Sequence, residues 1–167
     1  MKLFLDTNIL LDIVSHRSGE SSARIILERC LGPMDRVCIS YLSLADMSYI
    51  LRKHYSTEDL RSILRELSTK MKVLPGLDQH YYDLQKISGE DIEDCLQILC
   101  AEYEKCDVII TRNVKDFKDH TLIPVLSPDE FLSHFPKESL AFYLHSRCQF
   151  TVFVDSAYII SKSRLQS

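Results

Sequence analysis

An apolar run, Leu3-Phe4-Leu5, ends abruptly on a carboxylate, Asp6, and short apolar runs of the same kind return along the chain. Runs without a polar face suit strands buried on both sides, which is the situation of a parallel sheet. Residues 2–6 read as the first strand, Val37–Ser40 as the second, Met71–Leu74 as the third and Val108–Thr111 as the fourth. Ile123–Leu126 reads as the fifth, and Pro124 places it at an edge of the sheet.

Helical patterns fill the gaps. Residues 20–31 carry Ala23, Ile26, Leu27 and Cys30 at helical spacing, with Gly32-Pro33 as the stop. A second helix is expected over residues 43–55. Thr57 is expected to cap a third, with Glu58 and Asp59 in its first turn and Leu60, Ile63, Leu64 and Leu67 facing inward. Pro75-Gly76 ends the third strand, and helices over 78–88 and 91–105 follow, separated by Gly89. Ser127 as cap and Pro128 at the first helical position open the last helix. This alternation predicts a three-layer α/β/α sandwich around a mostly parallel five-stranded sheet, formed by residues 1–135.

From Pro136 the alternation stops. Gln149–Val154 has strand character and Tyr158-Ile159-Ile160 is apolar. Residues 136–167 read as a C-terminal extension: an added hairpin, a dimerisation arm, or poorly ordered chain.

A length of 167 residues is one domain's worth. No apolar stretch approaches the roughly 18–20 residues of a membrane span, and the apolar run at the start is too short for a signal peptide. Six cysteines form no C-x-x-C pair and no zinc-type spacing, which fits small buried hydrophobes in a reducing cytoplasm. The net charge of −4 differs from the strongly basic balance of a sequence-specific DNA binder. It is compatible with a nucleic-acid enzyme whose centre is acidic and whose rim is basic.

In open α/β sheets ligands bind beyond the carboxyl ends of the strands. Asp6 ends the first strand there. Asp46 follows the second strand, where Ser43-x-x-Asp46 also reads as a capping box. In Asp91-Ile92-Glu93-Asp94, Asp91 reads as a helix cap, Asp94 as cap-box partner or site residue, and Glu93 as solvated. Asp116 follows the fourth strand, and Phe117 anchors its loop. Asp107 precedes that strand, at the wrong end for chemistry, and reads as structural. Four carboxylates converging without a cation would repel one another and raise their pKa values. One or two Mg²⁺ or Mn²⁺ ions would relieve that repulsion and could activate water against a phosphodiester. No glycine-rich phosphate loop, G-x-S-x-G elbow or spaced His/Cys set competes with this reading.

The residues resemble the PIN-domain family of metal-dependent ribonucleases. The matching stretches are Phe4 to Asp12, Ile39-Ser40 to Asp46, Asp91 to Gln97, Cys106 to Asn113 with Asp116-Phe117, and Leu126 to Leu132. The resemblance spans residues 1 to about 135. It implies Asp6, Asp46, Asp94 and Asp116 as catalytic acids, with Asp6, Asp94 and Asp116 on the metal. It implies Thr7, Asn8, Thr111 and Asn113 as supporting polar groups. The family's second acid is commonly Glu. Asp46 is one methylene shorter, and its contact with metal would then run through a water. Arg17, Arg52, Lys53, Arg112, Lys115 and Lys118 are candidates for a basic rim along the RNA backbone, with solvated surface charge as the alternative. Single-domain members look like VapC-type toxins, which implies an RNA endonuclease using Mg²⁺ or Mn²⁺, a small antitoxin partner and a homodimer.

Two other readings stand beside that one. The first is a catalytically weak or inactive PIN module that binds RNA or protein. The second is a phosphatase on a similar scaffold, which would need Asp-x-Asp where this chain has Asp6-x-Asn8.

Overall fold

The computed structural model describes residues 1–17, 20–30 and 35–136. Strands β1 (Lys2–Leu5), β2 (Arg36–Ser40), β3 (Lys72–Leu74), β4 (Val108–Ile110) and β5 (Val125–Leu126) form one sheet in the order β3-β2-β1-β4-β5. Every pairing is parallel. The expected edge position of the fifth strand is met.

The helices are α1 (Thr7–Val14), α2 (Glu20–Cys30), α3 (Tyr41–Leu51), α4 (Thr57–Lys70), α5 (Asp78–Asp83), α6 (Ile92–Glu104), α7 (Val114–Lys118) and α8 (Pro128–His134). Strand side chains alternate between two cores. Leu3, Leu5, Val37, Ile39, Val108 and Ile110 face α1–α4 and α8, through residues such as Ile9, Ile26, Met47, Ile63 and Phe131. Phe4, Cys38 and Ile109 face the other way, onto Ile98 and Ala101 of α6 and Phe117 of α7. Helices thus cover both faces, and the three-layer sandwich stands.

The chain runs outward from β1 through β2 to β3, then returns to place β4 on the other side of β1. The direction of winding therefore reverses between β1 and β4. At such a switch point the connections diverge and leave a crevice at the carboxyl ends of the strands. Asp6 and Thr111, the first residues past β1 and β4, stand at that crevice.

Several local expectations are corrected. Helix α1 begins at once after β1 and was not foreseen, because it is only eight residues long and follows the apolar strand with no glycine or proline turn between them. Ser40, rather than Ser43, caps the helix after β2: its hydroxyl accepts from the Ser43 N–H at 2.9 Å. Ser43 is itself buried and pairs with the Ser40 hydroxyl, so no Ser43–Asp46 box forms. Ser56, one residue before Thr57, caps α4 by accepting from the Asp59 N–H. The 78–88 helix stops at Asp83 and continues only as a 3-10 turn over Leu84–Lys86. The segment around Asp116 is the short helix α7 rather than a loop, with Phe117 fully buried as its anchor. Asp91 caps α6 as expected, accepting from the N–H groups of Glu93 and Asp94. Ser127 caps α8 as expected, and Glu130 closes a reciprocal box with it.

Among the described residues, Cys38, Cys95, Cys100 and Cys106 are free and buried, and no helix is long and apolar enough to cross a membrane. The Gly32-Pro33 stop and the extension from residue 137 onward lie outside the described residues.

Candidate active site

Asp6 occupies the N-cap position of α1, yet its side chain makes no capping bond. The carboxylate turns instead to the switch point, where Oδ2 accepts from Thr111 Oγ1 at 2.8 Å and Asn8 Nδ2 at 3.3 Å. Asp6 is only 1% exposed. Burial raises its pKa, while hydrogen bonds from Thr111, Asn8 and Gln97 pull it back.

Two acids arrive on the first turn of α6. Asp94 is half-buried and its pKa is pushed up to about 7, first by burial and then by the charges of Asp6, Asp91 and Asp116. Glu93 is also half-buried, and its pKa is likewise pushed up to about 7, by burial and by Asp46, Asp6 and Asp94. Its Oε1 accepts from Thr7 Oγ1 at 3.4 Å and from Gln97 Nε2 at 3.1 Å. The expectation that Glu93 is solvated is therefore corrected. One turn of helix puts Glu93 and Gln97 on the same face. The signal in the sequence was Gln97 itself, a polar residue in the apolar run Cys95–Leu99 that the structure buries completely.

Asp46 lies in the second turn of α3, and its Oδ2 is buried without a hydrogen-bond partner. Asp116 is exposed in the first turn of α7. It shares with Asp94 and Lys115 a cavity of about 480 Å³, bounded also by Gly89 and His120. Gly89 is there for space: a Cβ would stand 2.5 Å from Cys95 Sγ. Asp6, Asp46, Glu93 and Asp94 thus form one electrostatically coupled group, with Asp116 at its margin. Among the described residues, no three His, Cys, Asp or Glu side chains are close enough together to hold a metal ion as they stand.

Of the polar residues, Thr7 reaches Glu93, while Asn8 and Thr111 reach Asp6. Asn113 contributes its backbone, donating to Thr111 Oγ1 at 2.9 Å and accepting from the Asp116 N–H. Among the basic residues, Lys115 borders the cavity and Lys118 lies near Glu130. Arg112 is tied to Asp12 at 2.7 Å, and Arg17 is exposed just beyond α1. Arg52 and Lys53 are not brought to the crevice. They lie beyond the far end of α3, about 16 Å along the helix from the carboxyl edge, where Arg52 stacks on Tyr49. Asp107 has the structural role foreseen for it, accepting from the Lys2 N–H at 2.7 Å.

Residues 2–115 match the sequence pattern of the PIN domain. The chain belongs to the PIN-domain family. No curated protein matches it in sequence. Solved VapBC structures share its fold. VapBC2 from Rickettsia felis, bound to a promoter DNA fragment, gives a TM-score of 0.61 at 20% identity, covering 76% of this chain and 98% of that one. VapBC-1 from nontypeable Haemophilus influenzae gives 0.61 at 22% identity, with 77% and 99% covered. DNA-bound VapBC from Salmonella typhimurium gives 0.63 at 18% identity, with 77% and 98% covered. The five-stranded parallel sheet with helices on both faces is the PIN architecture; Asp6, Asp46, Glu93 and Asp94 lie within the matched residues and Asp116 one residue beyond them.

Proposed function

We propose that this PIN protein is a ribonuclease dependent on Mg²⁺ or Mn²⁺ and the toxin of a toxin–antitoxin pair. The observation that carries the reading is the group of buried Asp6 and half-buried Asp46, Glu93 and Asp94 at the switch point, with Asp116 beside it. Stability alone would not favour such a group, because each ionised carboxylate raises the cost of the next. The group fits a hard divalent cation in two respects. Its donors are all carboxylate oxygens, and Asp46 Oδ2 is buried with nothing to satisfy it.

Asp6, Asp94 and Asp116 would hold the metal, with Asp46 completing the set through a water and Glu93 facing it. When bound, the ion makes water a better nucleophile and offsets charge on the phosphate oxygens. The chain's own residues do the positioning. Thr111 and Asn8 fix the orientation of Asp6. Gln97 and Thr7 fix Glu93. Lys115 borders the cavity of Asp94 and Asp116, and it and Arg112 would contact a phosphodiester backbone. Fold neighbours solved as VapBC assemblies, and a toxin–antitoxin complex from Klebsiella pneumoniae, support an antitoxin protein as partner. A second copy of the chain is a further expected partner.

The deciding experiment is cleavage of single-stranded RNA with Mn²⁺ by the wild type and by Asp6→Asn. A loss of about a thousandfold with an unchanged fold is expected. Full activity of the variant would overturn the assignment. One observation favours a second reading, a PIN module that binds without cutting: the acids do not close into a three-ligand set. Calorimetry separates the two, because the module would take up no Mn²⁺ at millimolar concentration.

A further inference from the structure

Asp12 is fully buried on α1, outside the acidic group. Its Oδ1 accepts from Arg112 Nη1 at 2.7 Å, and its Oδ2 is buried with no hydrogen-bond partner. The Arg112 side chain is 43% exposed. One nitrogen of the guanidinium is gripped from below and the rest of the fork is open. As a stability device this is a poor arrangement, since a buried carboxylate is best matched by both tines of the fork. As a way of aiming a cation it is a good one.

Position supports that view. Thr111 and Arg112 are consecutive residues leaving β4, and each is tied to an aspartate of the opening segment. Thr111 holds Asp6 at 2.8 Å and Arg112 is held by Asp12 at 2.7 Å. Asn8, which also bonds Asp6, shares a helical face with Asp12. The open side of Arg112 is therefore fixed one residue from the Asp6–Thr111 contact.

We propose that Asp12 is a positioning residue, holding Arg112 so that its free N–H donors take a backbone phosphate of single-stranded RNA beside Asp6. This rests on the ribonuclease reading. Fluorescence anisotropy tests it, using a labelled uridine oligomer with Ca²⁺ replacing Mg²⁺ to hold back cleavage. Arg112→Gln is expected to bind about tenfold more weakly and to lose about 0.7 from the salt slope, the share of one phosphate. Asp12→Ala should match that loss although Arg112 is still present. Asp12→Asn keeps an acceptor and should lose less, with KM raised and kcat unchanged in cleavage assays. The double variant Asp12→Asn/Arg112→Gln should regain the melting temperature lost in Arg112→Gln without regaining affinity.

A purely structural pair would move melting temperature alone. Wild-type affinity and salt slope in folded Asp12→Ala overturn the inference and leave the ribonuclease reading intact. Should Asp12→Ala fail to fold, an unchanged KM in Asp12→Asn overturns it equally. No binding of the oligomer by the wild type overturns both.

Discussion

The two ends of the sheet carry similar charges in opposite arrangements. At the amino end Glu104 and Asp35 each have cations. Glu104 is shared by Lys2 at 3.0 Å and Lys72 at 2.8 Å, which hold its carboxyl below the usual range. Buried Asp35 meets Arg29 at 2.7 Å and the amino group of Met1 at 3.0 Å. At the carboxyl end the acids face one another, and the pKa values of Asp6, Glu93 and Asp94 are raised. The same fold therefore uses one edge to hold itself together and leaves the other under electrostatic strain. Strain retained at a switch point marks the edge where a ligand is to be bound.

Breaking the paired end should cost most. Arg29→Ala strands Asp35 with the terminal amine alone, and it removes the stacking of Arg29 on Phe131 and its bond to the Phe135 carbonyl. A loss of about 2–3 kcal/mol is expected, read as a lower urea midpoint at unchanged slope. A smaller loss than that of an ordinary surface pair would mean that the amino end is not the stabilising one.

At the other end the sign reverses. Asp94→Asn removes one charge from the strained group and keeps the shape. The metal-free variant should be more stable than the wild type by about 1–2 kcal/mol at pH 8 and equal to it near pH 4. The pH profile of the metal-free wild type follows from the same shifts. Folded Glu93 and Asp94 titrate at about 7, against ordinary values of 4.5 and 3.8. Between those limits the folded state binds more protons than the unfolded chain. Their contribution is therefore complete below the ordinary values and is lost as pH rises toward 7. Asp83, held down to about 2 by Lys86 and Tyr103, acts in the opposite sense and is lost only as pH falls below 3.8. Thermal unfolding of the metal-free protein should thus peak in mildly acidic buffer. A plateau from pH 5 to 8 would break the comparison.

This contrast also separates what could be read from the sequence from what could not. The parallel sheet, its edge strand and two of the caps follow from local patterns: apolar runs, Pro124, and the side chains of Asp91 and Ser127. The place of Asp6 was legible because strand direction alone puts it at the carboxyl edge of the sheet. Helix α1 was not, since its eight residues run straight on from the apolar strand with no glycine or proline turn to part them. Glu93 was not, because its surroundings are long-range: Thr7 and Asp46 come from other elements, and only folding brings them to it. For the same reason Arg112 reads in sequence only as one of six candidates for a basic rim, and nothing local pairs it with Asp12.

The smallest effect is also the sharpest test. Lys72 is 59% exposed, and Lys2 remains on Glu104 when it is removed. Lys72→Ala should cost no more than about 0.5 kcal/mol, because an exposed pair gains little over its hydrated charges. Salt then discriminates between the two ends. Screening weakens attraction at the amino end and repulsion at the carboxyl end alike, so their responses have opposite signs. In Lys72→Ala less attraction is left to screen, and moderate NaCl should stabilise this variant more than it stabilises the wild type. In Asp94→Asn less repulsion is left, and the same salt should stabilise it less. If both variants shift the salt response in the same direction, the two ends do not differ in the way their geometry requires.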